Sequence, residues 1–199
     1  MLKYFFRLLL LIGAIIGIFA VIGSLLPRSY DFSTQIEIDA PPTAIFPKIN
    51  SLRDWQDWSM QFNPTAIDDL EIEYNGEPAG VGAAKSWSDI RGTGKLWITK
   101  SSPDSSLEYE MTFANFPKMA SQITLEPLQN KTRVSWNSQG KLPGGPFYGY
   151  FGWLFSTQMR NEYDKSLEKL KTLVESEAKE IVPGDSTEME TSSADANDQ

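Results

Sequence analysis

Between Leu8 and Leu26 the chain reads LLLLIGAIIGIFAVIGSLL, nineteen residues without a charge and with Ser24 as the only polar member. A bilayer core takes about 20 such residues as a helix, so the pattern predicts one transmembrane span. Beyond Pro27 the rhythm changes to strict alternation. STQIEID at 33 to 39 sets Ile36 and Ile38 on one face of a strand, and LEIEYN at 70 to 75 does the same with Leu70, Ile72 and Tyr74. AAKSWSD and GKLWITK form a hairpin across Ile90, Arg91, Gly92 and Thr93, with Gly92 supplying the freedom of the turn. LEYEMTF at 107 to 113 aligns Leu107, Tyr109, Met111 and Phe113. MASQITLEPL and TRVSWNSQGKL repeat the device with Ile123 and Leu125, then Val134 and Trp136.

Two segments follow the helical period instead. Ile45, Phe46, Ile49 and Leu52 are spaced for a helix, but Pro47 implies two short helices or a kinked one, with Trp55 and Trp58 sharing a face. From Tyr150 to about Ile181, Phe155, Met159, Tyr163, Leu167, Leu170 and Val174 recur at three and four, which predicts a long amphipathic helix. A sheet with one apolar face and a helix with one apolar stripe are both covered when the helix lies across the concave side of the sheet. The expected fold class is therefore α+β: about six or seven antiparallel strands curved around a long C-terminal helix, preceded by one transmembrane helix.

Composition narrows the chemistry. Lys and Arg number 18 against 26 acidic residues, for a net charge of -8, and such a surface repels nucleic acid. The chain has no cysteine and no histidine, so disulfides, thiol nucleophiles, zinc-histidine sites and Ser-His-Asp catalysis are excluded within it. No cofactor and no metal are expected. Residues 183 to 199 carry five acids and no base among small polar residues, the composition of a disordered acidic tail. The domain plan is thus an anchor at 1–28, a folded body at 29–182 and a tail at 183–199.

The apolar run also admits a cleaved signal peptide, since Lys3 and Arg7 precede it. It exceeds the usual core of roughly 7 to 15 residues, and no A-x-A site follows it before Pro27, which favours a retained anchor. Lys3, Arg7 and the terminal amine outweigh Arg28, placing the N-terminus in the cytoplasm and the body across the membrane. Gly13 and Gly17 have the spacing of a helix-dimerisation motif, alongside the plainer reading of glycine tolerated in a membrane helix.

Gly94-Lys95 within RGTGKLW suggests a phosphate loop, but Asp89 replaces the first glycine and Leu96 the magnesium-binding hydroxyl, so the glycines are read as turn chemistry. Lys85 and Asp89 share a strand face with Trp87 and are the candidates for acid-base work if that face turns inward; solvent-facing charges are the plainer reading.

IEIDAPPTAIFPKINSLRDWQDWS, GVGAAKSWSD with GTGKLWI, and TRVSWNSQG before the final helix arrive in an order that resembles the bacterial polyketide cyclase/dehydrase-like branch of the START/Bet v 1-like (SRPBCC) superfamily. The resemblance covers roughly residues 30 to 180 and implies the helix-grip fold with an apolar cavity between helix and sheet. The residues that would line it are Tyr109, Met111, Phe113, Ile123, Trp136, Phe155, Met159 and Tyr163, with Trp87 beside them. Each of these is also a natural core residue. The leading expectation is a single-pass domain of a bacterial inner membrane, its body periplasmic, that binds a small apolar or lipid-like ligand. The alternatives are an envelope protein-interaction module without ligand, and a polyketide-cyclase type of enzyme.

Overall fold

The computed structural model describes residues 2–26, 28–62, 69–146 and 148–181. The expected tail at 183–199 lies outside them. Helix α1 (Leu2–Leu25) is followed by β1 (Ser29–Ile38), α2 (Pro42–Asn50), α3 (Trp55–Trp58) and a single 3-10 turn at Met60–Phe62. Then come β2 (Glu71–Gly76), β3 (Ala83–Asp89), β4 (Gly92–Ser102), β5 (Ser106–Phe113), β6 (Phe116–Pro127), β7 (Thr132–Lys141) and α4 (Tyr148–Ile181). The seven strands form one antiparallel sheet in the order β1-β7-β6-β5-β4-β3-β2. Hairpins join neighbours from β2 to β7, while β1 closes against β7 with Ser29 opposite Lys141 and Ile38 opposite Thr132.

Alternation decides which residues enter the core. On β3, Ala83, Lys85 and Trp87 are buried; on β5, Leu107 and Tyr109; on β7, Val134, Trp136 and Ser138. Against this face α4 lays Tyr163, Leu167, Leu170 and Val174, all buried and spaced by four, three and four residues. The helix-grip arrangement expected from the two periodicities is the one observed.

Three local details differ from the sequence expectation. The break in the first helical segment falls at 51–54 rather than at Pro47. Pro47 is accommodated inside α2, where its missing N–H forgoes one helical bond. The orphan carbonyls at the end of α2 are taken up instead by the two indoles: Trp55 Nε1 donates to Ile49 O at 2.8 Å and Trp58 Nε1 to Lys48 O at 3.1 Å. The β3–β4 turn is also tighter than expected, since Asp89 pairs with Gly92 and leaves only Ile90 and Arg91 in the loop. Gly92 accordingly opens a strand, with φ of 142°. Finally, β1 begins at Ser29, four residues earlier than STQIEID, which brings Tyr30 and Phe32 into the core.

Gly94 lies within β4, opposite Trp87. A Cβ there would come within 2.2 Å of the Trp87 ring, so glycine at this position lets the indole lie against the strand. Helix α1 is long and apolar enough to cross a membrane and is almost wholly exposed on the protein. Gly13 and Gly17 have nothing within 4 Å; the glycine of α1 that meets another helix is Gly23, against the start of α4.

Candidate functional site

The sheet and α4 do not close on each other over their full length. At one end Trp55, Trp58, Phe62, Tyr109, Trp136 and Tyr163 fill the interior with rings in mutual contact; Trp136 stacks on Tyr163 at 3.9 Å between centroids. The polar atoms of Trp136, Tyr109 and Tyr163 form one chain with two serines. Trp136 Nε1 donates to Tyr109 Oη at 3.0 Å, Tyr109 and Tyr163 hydroxyls lie 3.3 Å apart, and Ser138 Oγ donates to Tyr163 Oη at 3.2 Å. Ser121 and Ser138 close the chain at 2.6 Å. Burial raises the Tyr109 and Tyr163 hydroxyls above their ordinary value, so both remain neutral donors. Tyr163→Phe removes the hydroxyl shared by Tyr109 and Ser138, and a loss of about 1 kcal/mol in unfolding free energy is expected by thermal denaturation.

Toward the other end the same two layers diverge around a cavity of about 440 Å³. Trp87, Met111, Phe113 and Met119 form its sheet wall and Phe155 and Met159 its helix wall. Trp87 and Phe113 stack at 6.2 Å, and Phe155 lies over Tyr30 at 4.9 Å. The Tyr30 hydroxyl is pushed up to about 12, first by burial and then by Tyr163. Arg91, Gln158, Glu162 and Lys165 stand on the remaining border, giving the apolar space a charged edge. This size is typical of small-molecule sites, which run at about 300–1,000 Å³ with few polar groups. Among the described residues no group of three His, Cys, Asp or Glu side chains is placed to hold a metal ion.

Of the nine residues expected at a cavity wall, Trp87, Met111, Phe113, Phe155 and Met159 are there. Tyr109, Ile123, Trp136 and Tyr163 are not: they are buried at the packed end, where the α3 indoles meet Tyr109 and Trp136. Tyr30, Phe62, Phe116 and Met119 line the cavity without having been foreseen. Tyr30 carries a legible signal, since it continues the inward parity of Ile36 and Ile38. Phe62 has none, because it stands in a short 3-10 turn.

The acid-base candidates separate. Asp89 is bound by the side chain of Arg91, whose Nη2 lies 2.6 Å from Oδ2, and by the Arg91 backbone N–H at 2.7 Å. The Arg91 side-chain hydrogen bond holds its carboxyl below the usual range. Lys85 points inward and is fully buried, with its Nζ 3.2 Å from the Phe62 ring centroid and 5.0 Å from that of Trp55. Among the described residues the amine has no hydrogen-bond partner, and burial drives it well below its ordinary value. Phe62 separates it from the cavity, which Lys85 does not line.

Several solved structures share this architecture. A protein from Staphylococcus aureus, SA2116, superposes with a TM-score of 0.58 at 9% identity over 76% of this chain and 98% of its own. TTHA0849 from Thermus thermophilus gives 0.57 at 14% over 74% and 99%. CV1439 from Chromobacterium violaceum gives 0.51 at 20% over 73% and 96%. At these identities the likeness is one of fold. No curated protein sequence matches the chain. The sequence profile described as polyketide cyclase / dehydrase and lipid transport matches residues 29–175, from the first strand to the last buried turn of α4, and the chain is a member of that family.

Proposed function

We propose that the body at 29–182 binds one apolar or amphipathic, lipid-like molecule in the cavity between α4 and the sheet, and that α1 anchors it as a single-pass membrane protein. The observation that carries this reading is the 440 Å³ space walled by Trp87, Met111, Phe113, Phe155 and Met159. Flexible thioethers beside rigid rings suit an occupant of apolar and variable shape. The charged edge at Arg91, Glu162 and Lys165 would receive its polar end. Binding rather than turnover is supported by the fate of the two acid-base candidates, one neutralised by Arg91 and the other sealed behind Phe62. With Lys3 and Arg7 ahead of the span, the positive-inside tendency sets the body on the periplasmic side of a bacterial inner membrane.

The test is binding of a fluorescent fatty-acid analogue to the full chain in detergent micelles, compared with Met159→Trp. An indole at position 159 occupies the helix wall of the cavity. Affinity is expected to fall about tenfold or more, equivalent to about 1.4 kcal/mol. Equal binding by both proteins, or none by either, would leave the interaction-module reading in its place.

A further inference from the structure

The first two turns of α4 present a surface that the cavity does not use. Apart from α1, the described residues contain six large hydrophobic side chains that are exposed: Val81, Ile90, Tyr148, Tyr150, Phe151 and Leu154. Four of the six fall within seven consecutive residues of one helix. Tyr148, Phe151 and Leu154 are spaced by three and share a face, and Phe151 and Leu154 are each 53% exposed. So concentrated an apolar patch on an otherwise acidic body needs an occupant.

Contacts with α1 identify it. Gly149 and Gly23 bring the two helices together: a Cβ on Gly149 would lie 2.5 Å from Gly23 O and 2.7 Å from Leu26 Cβ. Tyr150 reaches further along α1, its hydroxyl donating to Phe19 O at 2.8 Å. With the uncharged run ending at Leu26, Gly23 stands about 4–5 Å inside that end and Phe19 about 10 Å inside. A segment bound at those two levels is placed at the depth where interfacial helices bury their apolar face, about 5–10 Å into the headgroup and acyl boundary.

We infer that the start of α4, through Tyr148, Phe151 and Leu154, is embedded in the outer face of the same bilayer that α1 crosses, so that the protein has a second, interfacial membrane contact. The inference rests on the reading of α1 as a membrane anchor. Its consequence lies in a shallow apolar groove of about 520 Å³ along this part of α4, which shares Phe116, Phe155 and Gln158 with the binding cavity. The groove adjoins the cavity at these residues, where Phe116 and Phe155 stack at 5.7 Å, and it reaches the embedded face at Phe151 and Leu154. Displacement of the stacked Phe116 and Phe155 rings would give a lipid an apolar route from the bilayer to the cavity.

The chain has no cysteine, so a single introduced thiol can carry an environment-sensitive fluorophore on the full-length protein. The variants are Leu154→Cys, Ile16→Cys within α1, and Val81→Cys, an exposed apolar position of the β2–β3 turn. Each is reconstituted in phosphatidylcholine and phosphatidylglycerol vesicles containing lipids with a doxyl quencher near the acyl carbonyl or near the chain end. The 154 label is expected to emit to the blue and to be quenched by the shallow doxyl lipid, the 16 label to be quenched as well, and the 81 label to remain in water. Adding Phe151→Asp to the 154 variant is expected to abolish its quenching. A 154 label in water beside a quenched 16 label overturns the interfacial contact and leaves the anchor standing. An unquenched 16 label overturns both. Neither result bears on Met159→Trp, which tests the cavity in micelles.

Discussion

Replacing Trp55 by Ala is expected to lower the unfolding free energy by about 3–5 kcal/mol, the range for deleting a large buried aromatic side chain. Trp55 is fully buried and ties α3 to the sheet through ring contacts. Its ring meets Trp58 at 5.0 Å within α3, Tyr109 at 5.1 Å on β5 and Trp136 at 5.9 Å on β7. Loss of the indole also strips Ile49 O at the end of α2 of its donor. For a chain of this size the loss corresponds to a drop of roughly 6–20 °C in Tm. Near-UV circular dichroism during heating in micelles reads it directly. A change below about 1 kcal/mol would mean that α3 is a dispensable cover rather than the keystone of the packed end. Because Trp55 is one of two rings facing the Lys85 amine, the substitution also opens a path for water to that amine.

The same ring explains what could and could not be read from the sequence. Period-two alternation in LEYEMTF and TRVSWNSQG groups the residues that share a face, and Leu107, Tyr109, Val134 and Trp136 are buried on it. Distance from the sheet to whatever lies opposite is another matter. Trp87 and Trp136 have the same parity and the same chemistry. Trp136 is sealed by Trp55, Trp58 and Tyr163, whereas Trp87 looks into open volume beside Met111 and Phe113. That difference is set by the placement of α3 over one end of the sheet, an encounter between residues some 80 positions apart in the case of Trp136 and Trp55. No local period encodes it. Lys85 shows the opposite case: its parity with Ala83 and Trp87 announced an inward side chain, and only the expectation that charge faces water argued against it.

Lys85→Met is expected to stabilise the protein by about 1–3 kcal/mol, the cost of holding a polar group in an apolar interior without a partner. The thioether keeps the length and volume of the lysine stem and suits the aromatic contacts of Phe62 and Trp55. The gain should depend on pH. Burial lowers the folded-state value of the Lys85 amine well below 10.5, while the unfolded chain keeps the ordinary value. Between the two values the unfolded state binds the extra proton, so wild-type stability rises with pH, by up to about 1.4 kcal/mol per pH unit from this group. Below the folded-state value both states are protonated and the dependence ends. Above 10 the buried tyrosines reverse it. Tyr109 and Tyr163 hold their protons longer folded than unfolded, and the unfolded chain is then favoured as pH climbs. In urea titrations at pH 7 and pH 9, wild type should therefore gain stability relative to the methionine variant, and the difference between them should narrow. An equal difference at both pH values would show the amine to be solvated in the folded protein. A less stable methionine variant would show that the ammonium is held charged over the Phe62 ring as a buried cation–π pair.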